Sequence, residues 1–341
     1  MAVLHGGANP LIMSRVSTRL EDYNYDLPPE LISRYPLPRR DASRMMILHR
    51  DRQTIQHASF ADLKTFLRDD DLLILNNSRV LPARHFSDDG ELEFLFLEKL
   101  APERWKALVR PGRKFRESRA IFIKGVRATA GRRFADGCRE IILSQDIDLQ
   151  RGGVMPLPPY FNRQSEPEDE IRYQTVFARV DGSLAAPTAG LHFTPEMLSR
   201  LWHVFVTLHV GTGTFRPVKT NDISQHEMHP ERFNISDPTA VAIRNAGRRV
   251  AVGTTTVRVL ESLYRQFGEI RAAQDATNIF IYPPFKFGVV DVLLTNFHLP
   301  HSTLLMLVSA FGGREFVLRA YEEAVRERYR FFSYGDCMLI F

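Results

Sequence analysis

Cysteine is nearly absent: Cys138 and Cys337 are the two in 341 residues. They exclude a disulfide framework and a thiolate zinc centre, and they fit a reducing compartment. No run of about 18 uncharged apolar residues occurs, and Met1–Leu20 has no basic segment leading into a long apolar one. The reading is a cytoplasmic protein with no membrane partner, its residues 1–18 a loose leader. Three motifs are also missing. Without G-x-G-x-x-G or G-x-x-x-x-G-K-[ST] there is no fingerprint of a dinucleotide or triphosphate site, and without G-x-S-x-G no hydrolase elbow. Lysine is scarce, seven against 38 arginines at a net charge of +5. Guanidinium forks suit phosphate and carboxylate, which points to a polyanionic partner, although genomic base bias gives the same composition without one.

What is present suits an ordinary globular chain, 44% hydrophobic and 25% charged, long enough for two structural units. A short helix is expected at Leu27–Ile32, a strand at Met45–His49, a helix over His57–Leu67 and a buried strand at Asp71–Leu75 running into Asn76-Asn77-Ser78-Arg79. From Leu81 to Gln150 the texture changes to short alternating stretches, 91–97, 105–109, 119–123 and 139–143, the pattern of a small antiparallel barrel. Residues 113–133 hold eight Lys/Arg against Glu117, a nucleic-acid face or a solvated strand face. Pro156–Pro159 closes this region.

Afterwards helix and strand alternate: helix 195–201, strand 203–210, helix 237–247, strand 249–253, helix 256–267, strands 278–282 and 289–294, helices 302–312 and 314–328. The expected fold is an α/β core with a mainly parallel or mixed sheet, formed by residues 19–80 and 155–341. Residues 81–154 form an inserted antiparallel β-barrel.

Two glycine-containing turns, Ala186–Phe193 and His209–Arg216, bracket one helix-to-strand passage, and each carries a histidine and threonines. Small residues let backbone N–H groups approach a ligand, hydroxyls donate or accept, and a neutral imidazole moves protons near pH 7. Further polar groups follow apolar strands at Gly253–Arg258 and Thr295–Pro300. In open α/β sheets ligands bind beyond strand carboxyl ends, so these ends imply one shared pocket. Helix capping accounts for the hydroxyls but not for Asn296 and His298. His226 and His229 have helical spacing, yet no third ligand pattern accompanies them, so a surface or substrate contact is preferred over a metal.

The stretches Tyr25–Pro28, Asn76–Val80, Met155–Tyr160, Ala185–Phe193, Thr207–Val218, His226–His229, Val252–Arg258, Leu294–Ala310 and Tyr329–Asp336 together resemble the S-adenosylmethionine:tRNA ribosyltransferase-isomerases of the queuosine pathway. The resemblance spans nearly all of residues 20–341. Departures fall at Ala83–Glu93, after Val109–Gly112 and at Pro283-Pro284-Phe285.

The resemblance implies an α/β core with an inserted barrel. It implies transfer of the ribosyl unit of S-adenosylmethionine, a substrate, to the aminomethyl group of a 7-deazaguanine at the tRNA wobble position. Epoxyqueuosine forms, and adenine and methionine leave, with no metal or other cofactor. Such a reaction needs a base near the C5′ hydrogens that the sulfonium acidifies, and a donor to the leaving purine.

From residue type and position, His209 and His192 are the first candidates for proton transfer and His298 the lesser one. Substrate contacts are expected from Thr188, Gly190, Gly211, Gly213, Thr214, Phe215, Arg216, Thr254, Thr255, Arg258, Asn296, His226 and His229. Arg216 and Arg258 suit the methionine carboxylate or a phosphate, or serve structural salt bridges. The tRNA anticodon loop would lie on Arg39, Arg40, Arg44, Arg113 and Lys114, and the protein is read as a monomer. Rival readings are an S-adenosylmethionine-dependent tRNA methyltransferase and a catalytically silent tRNA-binding protein.

Overall fold

The computed structural model describes residues 17–116, 120–149, 152–211, 213 and 218–341. The first half of the chain supplies β1 (Arg44–His49), β2 (Thr54–Ser59), α1 (Leu63–Phe66), β3 (Asp71–Asn76) and β4 (Ser78–Val80). It continues with β5 (Arg84–Phe86), β6 (Glu93–Ala101), β7 (Arg104–Arg110), β8 (Ile121–Ile123), β9 (Val126–Arg133) and β10 (Arg139–Leu143). After these come α2 (Asp169–Arg172), β11 (Val180–Ser183), α3 (Pro195–Leu198), β12 (His203–Leu208), β13 (Glu231–Ile235) and α4 (Asp237–Asn245). The last elements are β14 (Arg248–Val252), α5 (Thr254–Phe267), β15 (Ala273–Thr277), β16 (Val292–Asn296), α6 (Thr303–Gly312), α7 (Arg314–Arg326) and β17 (Cys337–Ile340).

Among the described residues, nine strands form one sheet in the order β15-β13-β12-β3-β14-β16-β17-β1-β2. It is mixed. β12, β3, β14 and β16 make a parallel centre, β17 and β1 pair parallel to one another, and the remaining pairs are antiparallel. The central strands read as unbroken apolar runs because both sheet faces are covered. Met45, Ile47, Leu73 and Leu75 point into a layer with Phe60, Leu63, Phe193 and Leu198. Met46, Leu48, Leu72 and Ile74 point to the other side, against Ile243, Leu260, Leu263, Met306 and Tyr321 of α4–α7.

The second sheet runs β5-β6-β7-β10-β9-β8 and is antiparallel throughout. Alternate residues such as Phe94, Phe96, Trp105, Ala107, Ile121, Ile123 and Ile141 fill its own core. Asp88 draws its two edges together. The Asp88 N–H donates to the Phe122 carbonyl at 2.8 Å, and the Asp88 carboxylate accepts the N–H groups of Lys124 and Gly125 at 2.8 Å. The result is the barrel-like unit that the short alternating stretches suggest.

Two expectations change. The segment His57–Leu67 is not one helix: His57 lies in β2, opposite Met46, and only Leu63–Phe66 is α-helical, after a capped turn at Phe60–Asp62. Pairing with β1 satisfies the backbone of Thr54–Ser59, which outweighs a weak helical period. Residues 278–282 are not a strand; the strand is β15, set by its register on β13 from Glu231↔Thr277 to Ile235↔Ala273. The sheet is mixed, as expected, and the strands β13, β15 and β17, unforeseen in the sequence, supply antiparallel pairs at its flanks.

Candidate active site

β12, β3, β14 and β16 all end on one edge of the sheet, and a cavity of about 510 Å³ opens there. Its wall takes Ala185–Ala189 at one glycine-containing turn, Val210 of the other and Val218 just beyond it, Gly253 with Thr254, Thr255 and Arg258 of α5, and residues 295–304 from the end of β16 onward. Leu20, Pro159, Tyr160, Tyr173, Phe332 and Ser333 complete it. The volume suits a ligand of nucleoside size.

Asparagines lock the strand ends. Asn76 donates from Nδ2 to the Leu208 carbonyl at 2.9 Å, and its Oδ1 accepts the N–H groups of Leu208 at 3.0 Å and Ser78 at 3.1 Å. β3 and β12 therefore end in fixed register. Asn296 donates from Nδ2 to the Phe332 carbonyl at 2.8 Å, so its Oδ1 must accept from His192 Nε2 at 2.9 Å. That fixes the tautomer, and His192 Nδ1 accepts from Ser43 Oγ at 2.9 Å. With both ring nitrogens engaged and burial drawing its pKa down to about 4, His192 is a neutral pin behind the wall that holds Asn296.

His298 borders the cavity itself. Tyr25 donates to its carbonyl at 2.5 Å, and its N–H donates to Tyr321 Oη at 3.1 Å. Thr295 Oγ1 lies 2.9 Å from its Nε2. Burial draws the His298 pKa down to about 3, so the ring is neutral at pH 7.

His209 sits at the base of its turn, off the cavity wall. Its Nδ1 is 2.8 Å from Ser78 Oγ, its ring packs on Gly182, and burial with the nearby Arg232 lowers its pKa.

Thr188, Thr254, Thr255 and Asn296 reach the wall as the sequence suggested; Gly190, Gly211 and Gly213 do not. Gly190 is a close-approach position, where a Cβ would lie 2.8 Å from both Phe177 and Thr175. Thr214, Phe215 and Arg216 lie outside the described residues. Gly253 precedes α5 at φ +87°, which frees the helix start to face the cavity.

Arg258 is ion-paired with Glu231, and its Nε donates to the Ile279 carbonyl at 3.3 Å. His226 packs edge-on to Phe280, and His229 supports Gly213, where a Cβ would stand 3.0 Å from its ring. Among the described residues no group of three or more His, Cys, Asp or Glu is arranged to hold a metal ion.

The arginines proposed for RNA divide between the two units. Arg39 is exposed and pairs with Asp41 at 2.8 Å. Arg40 donates to the carbonyls of Leu191 at 3.1 Å and Ile171 at 2.8 Å, which ties two segments together. Arg44 lies 3.8 Å over the Tyr329 ring and donates to the Glu327 carbonyl at 2.7 Å. Arg113 and Lys114 are on the barrel, with Lys114 3.7 Å from Glu91.

Sequence reasoning missed Glu231, Tyr160, Tyr173, Phe332 and Ser333 as parts of the site. Tyr160 stood in plain view after Pro156–Pro159, but nothing marked it as facing a ligand. Phe332 adopts φ +74°, a left-handed backbone that no residue type there announces.

The family model described as queuosine biosynthesis protein matches residues 20–340. The S-adenosylmethionine:tRNA ribosyltransferase-isomerase of Symbiobacterium thermophilum is 49% identical, covering 94% of this chain and 99% of the relative. The protein of the same name from Thermotoga maritima is 46% identical with the same coverage. A crystal structure of S-adenosylmethionine tRNA ribosyltransferase from Thermotoga maritima aligns with a TM-score of 0.55 at 39% identity, over 94% of this chain and 100% of that one. Every wall segment of the cavity falls inside the matched span, and the chain belongs to the S-adenosylmethionine:tRNA ribosyltransferase-isomerase family of queuosine biosynthesis proteins.

Proposed function

We propose that this chain transfers and isomerises the ribosyl unit of S-adenosylmethionine onto the 7-aminomethyl-7-deazaguanine wobble base of tRNA. Epoxyqueuosine is the product, and adenine and methionine are released. The observation that carries the reading is the cavity at the ends of the parallel strands. It joins Thr188, Thr254, Thr255, Arg258, Asn296 and His298 in one chain that is 49% identical, over 94% of its length, to an enzyme of that name.

Proton removal at C5′ beside the sulfonium lets the C4′–O4′ bond break, and the electrons returned from O4′ to C1′ expel adenine, which leaves with the C1′–N bonding pair and takes up a proton. The acceptor amine bonds to the ribosyl carbon skeleton and gives up a proton, the five carbons close into the epoxide-bearing ring, and methionine departs with the carbon–sulfur bonding pair. His298 takes the C5′ proton, a role supported by its place on the cavity wall as a neutral imidazole. This gives His298 the transfer that residue type alone assigned first to His209 and His192. His192 orients Asn296, and His209 with Ser78 anchors the second turn. The threonines hydrogen-bond the nucleoside, and Tyr160, hydrogen-bonded to Ser333 Oγ, and Tyr173 back the cavity with phenols that burial keeps protonated. The acceptor nucleotide must be splayed from the single-stranded anticodon loop, with Arg39, Arg113 and Lys114 on phosphates outside. No metal takes part in this scheme, and the enzyme works in the cytoplasm.

Incubation with S-adenosylmethionine and tRNA bearing the aminomethyl base should release adenine and methionine together, and neither without that base. Release of S-adenosylhomocysteine would mean a methyltransferase, and no small product a binding protein. His298→Ala should slow turnover about a hundredfold and leave tRNA affinity unchanged. A fully active variant would keep the reaction and remove His298 from it.

A further inference from the structure

We propose that Glu231 makes the cavity selective for a sulfonium cation over a neutral thioether. The inference rests on S-adenosylmethionine being the substrate and adds a residue that the sequence did not single out.

Glu231 opens β13 and is buried, 5% exposed. One carboxylate oxygen accepts the Gly211 N–H at 2.8 Å, and the other pairs with the Arg258 guanidinium. Arg258 is buried to the same degree and lies on the cavity wall. It bears the one formal charge among the described wall residues; no acid lines the cavity, and His298 is neutral there.

S-adenosylmethionine carries a sulfonium, an ammonium and a carboxylate, a net charge of about +1 near neutral pH, whereas S-adenosylhomocysteine lacks the sulfonium charge and is close to neutral. An unpaired guanidinium in a poorly screened cavity would repel the sulfonium form specifically. Glu231 cancels that charge from behind the wall, out of contact with the ligand. The carboxylate and ammonium are common to both molecules, so any grip of Arg258 on the methionine end cancels in their ratio. Glu231 also ties the second glycine-containing turn to α5, but a loss of that tie would weaken both ligands alike.

The test is equilibrium binding of S-adenosylmethionine and S-adenosylhomocysteine, without tRNA, to the parent chain, Glu231→Gln and Arg258→Met. The ratio of the two affinities should shift about tenfold against the sulfonium in Glu231→Gln, and in its favour in Arg258→Met. Opposite signs from two variants of one ion pair are not produced by general loosening. If Glu231→Gln does not fold, the Arg258→Met shift decides alone. An unchanged ratio in the folded variants overturns the inference. A parent chain that binds neither molecule instead overturns the assignment of the substrate.

Discussion

Lowering the pH from 7 to 5 should cost this protein much of its stability, through three histidines held neutral by burial. His192 and His85 have pKa values near 4, and His298 near 3. All three are buried, with His85 accepted by the Leu149 carbonyl at 3.0 Å. In the unfolded chain each titrates near about 6.5. A proton that the unfolded state binds and the folded state refuses favours unfolding, so stability falls as pH drops through about 6.5 and continues to fall toward the folded values. Between pH 7 and 5 each histidine contributes a loss of about 2 kcal/mol, about 6 in all, against a usual net stability of about 5–15. His209 and His226, also shifted downward, act in the same direction.

The two units can be followed separately, because the two tryptophans lie one in each: Trp105 in the barrel core and Trp202 beside β12. Urea unfolding read by each tryptophan, in Trp202→Phe and Trp105→Phe backgrounds, should show about 2 kcal/mol lost from the barrel and about 4 from the core. His298→Gln, with no proton to gain, should reduce the core's loss to about 2. Equal pH dependence in His298→Gln and its parent would refute the reasoning.

Two further outcomes follow from charge and packing. Affinity for tRNA should fall steeply across a salt series as counterions are released, and Arg113→Ala with Lys114→Ala should weaken tRNA and leave S-adenosylmethionine binding unchanged; a flat salt response or equal losses would remove the barrel from the footprint. Gly190→Ala should destabilise the core by about 1–3 kcal/mol, since its methyl would stand 2.8 Å from Phe177 and Thr175, and an unchanged melting temperature would show that the turn yields freely.

The sequence by itself determined the chemistry at the strand ends. Thr254, Asn296 and His298 follow apolar runs, and such runs are buried wherever a sheet is covered on both faces, so their ends were legible without coordinates. The barrel was legible for a similar reason: one inward face gives strict alternation, as in Phe94 and Phe96. Edge strands were not. β2 and β15 bury little and form because a neighbour offers free N–H and C=O groups, a property of the partner and not of their own residues.

Tertiary structure alone also decided what each histidine does. His192, His209 and His298 are the same residue type in comparable glycine- or proline-flanked turns. One has both nitrogens taken by Ser43 and Asn296, one rests on Ser78, and one borders the cavity beside Thr295. Those partners lie 149, 104 and 131 residues away in two of the three cases. No local pattern records which distant group will satisfy an imidazole, and that satisfaction sets its charge, its tautomer and its freedom to move a proton.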